Sequence, residues 1–330
     1  MASTFIEIST QDIDLLSRCF HTKTLFDVKL DCDEEARQVL EACLTDPPIQ
    51  HAVSSLRALR EDLETSGDAV AQDTPTYHYG LQQYSMALGG LAFNLSSPSS
   101  NALKSALLCC QVFISIEQVR KNYAAMAQHF IRGLRIMHEY RARPYFVAAN
   151  KLAPAHHDQL PVLDVFIIKL FAAPCKFAEP PATAACLISP HQKSVESSSL
   201  RTIAPDTRTK LTRIAALTLD FLSKVSQVES VENAIQLLSE RAALLDSLKS
   251  WLVDLEIVQA AIGSPGPEPI SVSFLRFFHL ILKVVLLGAL ESSPDLDAEL
   301  RTENDRLQRV ANNVGERVKT YIQCSGTKSG

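Results

Sequence analysis

The stretch Ser105–Met137, "SALLCCQVFISIEQVRKNYAAMAQHFIRGLRIM", decides the fold. Its first half, "ALLCCQVFISI", is apolar on nearly every side when wound at 3.6 residues per turn, as in a helix enclosed by neighbours. Cys109 and Cys110 sit side by side in it. Adjacent helical residues point about 100° apart, so the two thiols cannot share a ligand direction. They read as packing residues: Leu107, Cys110, Ile114 and Gln118 trace one stripe, and Leu108, Val112, Ser115 and Val119 the next. A short polar break at "RKN" then leads into a second helix, giving an antiparallel hairpin.

The remainder extends this pattern. Among 330 residues, glycine is scarce at 11 while leucine and alanine abound, a composition that favours helix over turn-rich folds. Successive helical segments are "STQDIDLLSRCF", "DEEARQVLEACL" with acids in its first turn, "DPPIQHAVSSLRALREDLE" with prolines at its start, and "TPTYHYGLQQYSMALGGLAFNL", where Tyr77, Leu81, Tyr84, Leu88 and Leu91 keep helical spacing. Small residues (Ala87, Gly90, Ala106, Ala124, Ala127, Gly133) fall where helices would cross. The fold class expected is all-α, an array of antiparallel helix pairs without a fixed-period repeat. The expected organisation is a first helical array over 1–172, a proline- and serine-rich loop over 173–205, a second helical set over 206–322 packing on the first as one domain, and a disordered tail over 323–330. In the second set, Ile235, Leu238, Arg241, Leu245 and Leu248 step around one face.

Several function classes find no support. The net charge is −5, whereas nucleic-acid-binding domains carry a basic excess to neutralise phosphates. The densest basic stretch holds Arg132, Arg135, Arg141 and Arg143, on and after one helix end, where it suits the helix dipole. "SVSFLRFFHLILKVVLLGAL" (Ser271–Leu290) has the length of a membrane span. Arg276, His279 and Lys283 interrupt it, and a buried bundle helix is the better reading. The N-terminal "MASTFIEIST" lacks the basic start and apolar run of a signal peptide. The eight cysteines (19, 32, 43, 109, 110, 175, 186 and 324) form no C-x-x-C pair and lie at no zinc-ligand spacing with histidine. No phosphate loop, Rossmann glycines, nucleophile elbow or H-E-x-x-H occurs. No catalytic residue, metal or cofactor is assigned. "APAHHDQLP", with His156, His157 and Asp158, is the one dense titratable cluster.

These residues resemble the regulatory domain of fungal binuclear zinc-cluster transcription factors. Pro48, His51 and Ala52 match the family's first helical element. Leu81, Gln83, Tyr84 and Ala87 match the second, and Cys110, Phe113, Glu117, Tyr123, Ala125, His129, Gly133 and Leu134 the third. Two departures stand out. The family's DNA-binding cysteine cluster, of C-x2-C-x6-C type, has no counterpart here, nor has its basic linker and coiled coil. "EQVRKN" puts Val119 and Arg120 where the family has a Leu and a small polar turn.

The resemblance implies a regulator of transcription, acting in the nucleus with the cytoplasm as a second location, controlling a fungal secondary-metabolite gene cluster. Its partners would be other transcription regulators or a small-molecule effector, with no direct specific DNA binding by this chain and no membrane. Alternatives are a helical domain co-opted as a biosynthetic enzyme or small-molecule-binding protein, or a product whose zinc cluster lies upstream of the assigned start. Candidate ligand or partner contacts are Glu117, His129, Arg132, His156 and His157, with Glu117 and His129 expected to pair across the hairpin.

Overall fold

The computed structural model describes residues 8–20, 32–66, 74–97, 99–148, 151–156, 160–172, 196–262, 268–290 and 294–326. The described residues are helical apart from short connections and one two-stranded hairpin, so the all-α expectation holds. The chain divides into two compact units: residues 1–142, 155–174 and 315–330 form one, and 143–154 with 175–314 the other.

The first unit contains α1 (Thr10–Phe20), α2 (Asp33–Cys43), α3 (Pro47–Ser66), α4 (Pro75–Leu95), α5 (Ser100–Val119), α6 (Tyr123–Glu139) and α7 (Leu163–Ala172). Local chemistry fixes where these helices start. Thr74 accepts from Tyr77 N at 3.0 Å with Pro75 following it, Ser99 accepts from Ala102 N at 3.2 Å, and Asn122 accepts from Ala125 N at 3.4 Å. Each satisfies an amide that a first turn would otherwise leave open. Helix α5 lies at the centre, against α1, α2, α3, α4, α6 and α7. Residues 105–119 are buried without interruption, as its all-round apolar sequence requires. Cys109 and Cys110 are 0% and 6% exposed; burial raises both thiols, Cys110 to about 12, and they serve as core.

Glycines set the close approaches. A Cβ at Gly80 would stand 2.7 Å from Leu59 Cγ, and one at Gly90 would stand 2.9 Å from Pro48 Cγ. These two contacts run in opposite senses along α3 and α4, which makes that pair antiparallel. At Gly133 a Cβ would overlap Leu163 Cδ2 on α7 and lie 3.5 Å from the Cys110 side chain. Helix α6 is thus pressed between α5 and α7.

Both α5 and α6 end on a left-handed residue. Lys121 has φ 57° and Arg141 φ 52°. Asn122 N reaches back to Glu117 O at 2.8 Å and Ala142 N to Met137 O at 2.9 Å, the six-to-one bond of a Schellman ending.

The second unit contains β1 (Tyr145–Ala148), β2 (Lys151–Ala153), α8 (Glu196–Ser226), α9 (Val231–Ile262), α10 (Ile270–Leu287) and most of α11 (Pro294–Gly326), whose residues from Gly315 onward group with the first unit. The strands pair antiparallel with a register shift between Phe146 and Ala148. The three polar residues that interrupt the apolar stretch 271–290 each have partners: Arg276 pairs with Glu268 at 2.7 Å, and Lys283 with Glu299 and Glu303 at 3.2 and 3.0 Å. His279 stacks on Trp251, ring centroids 5.4 Å apart and planes 18° apart. Helices α5 and α10 are both long and apolar enough to cross a membrane, yet 94% and 72% of their apolar windows are buried within the fold.

Three expectations need correction. The loop assigned to 173–205 ends early: 173–195 lie outside the described residues, but α8 starts at Glu196 and runs through Pro205. The tail assigned to 323–330 starts late, because α11 continues to Gly326 and only 327–330 lie outside the described residues. The face of α9 traced by Ile235, Leu238, Arg241, Leu245 and Leu248 coincides with the buried side only at Leu248; Leu238, Arg241 and Leu245 are half-buried at its border. Ile235 is 47% exposed, and Ala234, Leu237, Leu244, Leu248, Trp251 and Leu255 point inward. The helix is apolar on both sides, so two stripes satisfy the same periodicity, and packing against α8 and α10 selects one.

Candidate functional site

The residues that carry the family resemblance converge in the first unit, where α4, α5 and α6 meet. Tyr84 is the hub. Its hydroxyl lies 2.7 Å from His129 Nε2 and also hydrogen-bonds the Glu117 carboxylate. Glu117 is bound further by Arg120, whose Nη1 donates to both carboxylate oxygens at 2.8 and 3.0 Å, and by the Asn122 side chain. The Arg120 guanidinium carbon lies 5.7 Å from the centroid of the Tyr84 ring. Phe113 packs edge-on against Tyr84, with centroids 5.1 Å apart, and lies 5.1 Å from the His129 ring.

The direct pairing of Glu117 with His129 expected from the sequence is replaced by one through Tyr84, which stands between them. With Glu117 ionised, the single tyrosine proton goes to the carboxylate. The hydroxyl oxygen must then accept from His129, which places that imidazole's hydrogen on Nε2. Burial governs the electrostatics. Glu117 is 1% exposed, and its carboxyl is raised by desolvation, with Arg120, Tyr84 and Asn122 opposing. His129 is pushed down to about 4 by burial, with Arg132 adding to the effect. Tyr84 is pushed up by burial and by Glu117. At neutral pH the phenol is protonated and the imidazole neutral, and Glu117 is held between the opposing effects of burial and its three partners.

The turn between α5 and α6 builds this arrangement. The left-handed Lys121 brings Asn122 round so that its side chain caps α6 and binds Glu117 at once. A second polar pair of the family pattern, His51 Nδ1 to Gln83 Oε1 at 2.7 Å, ties α3 to α4 one residue before Tyr84.

The other sequence candidates lie apart. Arg132 is exposed on the outer side of α6. His156 is exposed and its backbone amide donates to Arg141 O at 3.0 Å. His157 lies outside the described residues. Tyr84 escaped selection because a tyrosine at apolar helical spacing reads as core; the signal available was its place beside Gln83 in the second family element. No group of three or more metal-ligating side chains occurs among the described residues.

No protein-family profile matches the chain, and no solved structure does. A curated relative, transcription regulator lscL of Purpureocillium lilacinum, is 67% identical over 328 residues, covering 95% of this chain and 78% of the relative. At that identity, over nearly the whole chain, the chain belongs to this family of fungal transcription regulators.

Proposed function

We propose that the chain is a regulatory domain of the zinc-cluster transcription-factor type, which acts in the nucleus on a secondary-metabolite gene cluster through other transcription regulators or a small-molecule effector, and does not itself read DNA. The observation that carries this reading is the 67% identity to a protein named as a transcription regulator. The convergence of the motif residues Tyr84, Glu117 and His129 into one buried chain supports the domain type. The arginines support action without direct DNA readout: Arg135 is paired with Glu139 at 2.6 Å, and Arg143 donates to Leu222 O at 3.0 Å and to Ser226. Arg143 is thereby held against α8, and Arg135, exposed on the helix surface, has its charge paired by Glu139, whereas a DNA-reading helix presents unpaired cations at its tip.

Deletion of the gene followed by transcript profiling tests the role. A coherent set of neighbouring genes should lose or gain expression, and an unchanged transcriptome would remove the reading. Gel-shift assays with the purified chain at near-physiological salt test the second half. Retention of one specific duplex over random sequence would show that the chain reads DNA after all.

A further inference from the structure

Three non-glycine residues take positive φ among the described residues: Lys121, Arg141 and Leu290. The first two close helices, and the amide of each bonds back three residues, Lys121 N to Gln118 O at 3.1 Å and Arg141 N to His138 O at 3.3 Å. Leu290, at φ 69°, is a different case. The backward bonds that end α10 are Gly288 N to Val284 O at 3.1 Å and Ala289 N to Leu286 O at 3.3 Å; Leu290 is the next residue along. Nor is it the residue best suited to that backbone. Gly288, two positions earlier, holds an ordinary φ of −77°, while a leucine, whose Cβ crowds the carbonyl oxygen in the left-handed region, carries the strain.

A strained residue persists where its surroundings over-determine it. Both carbonyls that bracket Leu290 are pinned. Ala289 O, on the N-terminal side, accepts from Arg241 Nη1 of α9 at 2.8 Å. Leu290 O, on the C-terminal side, accepts from Phe146 N of β1 at 2.9 Å. Leu290 and Phe146 are themselves buried, so packing adds to the two bonds. The hairpin has a second anchor three residues before Phe146, where Arg143 donates to Leu222 O at 3.0 Å and to Ser226 on α8. Pro144, between the anchors, is fixed in φ. With strands of four and three residues, the hairpin is too short to be stable by itself and depends on what it docks against.

We propose that this junction is a latch. Docking the hairpin of β1 and β2 holds Leu290 left-handed, and the strain stored there brings a second state within reach. In that state the Phe146–Leu290 bond is open, Leu290 has relaxed to negative φ, and the hairpin has turned away on its Arg143 anchor while α8, α9 and α10 stay folded. Arg241 is the catch: it fixes the peptide plane from which Leu290 departs, so losing that bond frees the strained residue and the strand together. Release uncovers the edge of β1 that Leu290 now caps.

Hydrogen exchange of the full chain, read amide by amide by nuclear magnetic resonance, tests this. In the wild type the Phe146 amide should exchange through a local opening, at least about tenfold faster than the central amides of α10 and without dependence on added denaturant. Arg241→Met should speed Phe146 a further tenfold or so and leave the amides of α8 and α10 unchanged. Leu290→Ala and Leu290→Gly both discard the buried side chain and differ in their tolerance of φ 69°. At an ordinary helix or strand position glycine is the weaker residue of the two. Here Phe146 should exchange roughly five- to thirtyfold more slowly in Leu290→Gly than in Leu290→Ala, and this comparison decides the matter if Arg241→Met fails to fold. A Phe146 amide that exchanges only with global unfolding, a folded Arg241→Met with an unchanged Phe146 rate, or a glycine variant that exchanges as fast as the alanine variant would each overturn the proposal.

Discussion

Replacing Tyr84 with Phe removes one oxygen from the centre of the buried chain and leaves the ring in place. The edge-on contact with Phe113 at 5.1 Å survives, so packing changes little. What is lost is the 2.7 Å bond to His129 and the bond to Glu117. Both partners are buried, at 9% and 1% exposure, where solvent does not replace the hydroxyl. An orphaned buried polar group costs about 1–3 kcal/mol. Glu117 keeps Arg120 and Asn122, so its share falls at the lower end, and the total comes to about 2–4 kcal/mol. Against a typical stability of roughly 5–15 kcal/mol, that is a large loss from one atom. Urea denaturation followed by far-ultraviolet circular dichroism reads it. A double-mutant cycle with His129→Leu separates the pair from its surroundings. Removing both polar partners should cost less than the sum of the single changes by about 1–2 kcal/mol. If Tyr84→Phe costs under about 0.5 kcal/mol, or if the two changes add, the hydroxyl does not link these groups as argued.

Other outcomes follow from the same geometry. Lys121 holds a left-handed conformation at the end of α5, so Lys121→Gly should stabilise by about 1 kcal/mol in chemical denaturation; destabilisation would mean that the lysine side chain matters more than its backbone. Gly133→Leu should cost about 1–3 kcal/mol by overpacking against Leu163, and Gly133→Ala less, because helix propensity returns about 1 kcal/mol; an unchanged midpoint for Gly133→Leu would refute the close approach. His129 and His279 are both depressed to about 4 by burial, so folding favours their neutral forms. Their contribution is complete above about pH 6.5 and is lost as pH falls from there toward 4, up to roughly 3 kcal/mol for each. Glu117, raised by burial, works in the opposite sense, since protonation relieves its desolvation as pH falls. Denaturation midpoints at pH 7, 5.5 and 4.5 should therefore decline, and the decline should weaken in His279→Leu.

The central hairpin was legible because α5 is apolar all round and sits among polar breaks; no other conformation buries so many consecutive residues. The same legibility failed where a residue had two physically acceptable roles. Tyr84 fits an apolar stripe as well as a polar hub, and only the neighbouring helices reveal which atoms meet its hydroxyl. Lys121 carries no local mark of left-handed backbone, a conformation announced in sequence mainly by glycine or asparagine. The hairpin of β1 and β2 lies in "PYFVAANKLAP", too short and too proline-bounded to stand out as strands; Phe146 N is held by Leu290 O at 2.9 Å, a long-range partner that no local pattern contains. In α9 the apolar residues spread round the helix, so periodicity alone does not separate the exposed Ile235 from the buried Ala234 and Leu237.

The single tryptophan of the chain, Trp251, is 2% exposed in the second unit, donates to Thr207 O at 2.8 Å, and lies flat against His279. The molecule therefore carries an optical label on one unit alone. Indole emission follows the unfolding of the α8–α10 assembly and is blind to the helices that hold Tyr84, whereas circular dichroism sums over both. Melting curves recorded by the two signals on one sample give the degree of cooperativity between the units without any engineered probe: superimposed curves mean that they unfold as one thermodynamic block, and separated curves assign each midpoint to its unit.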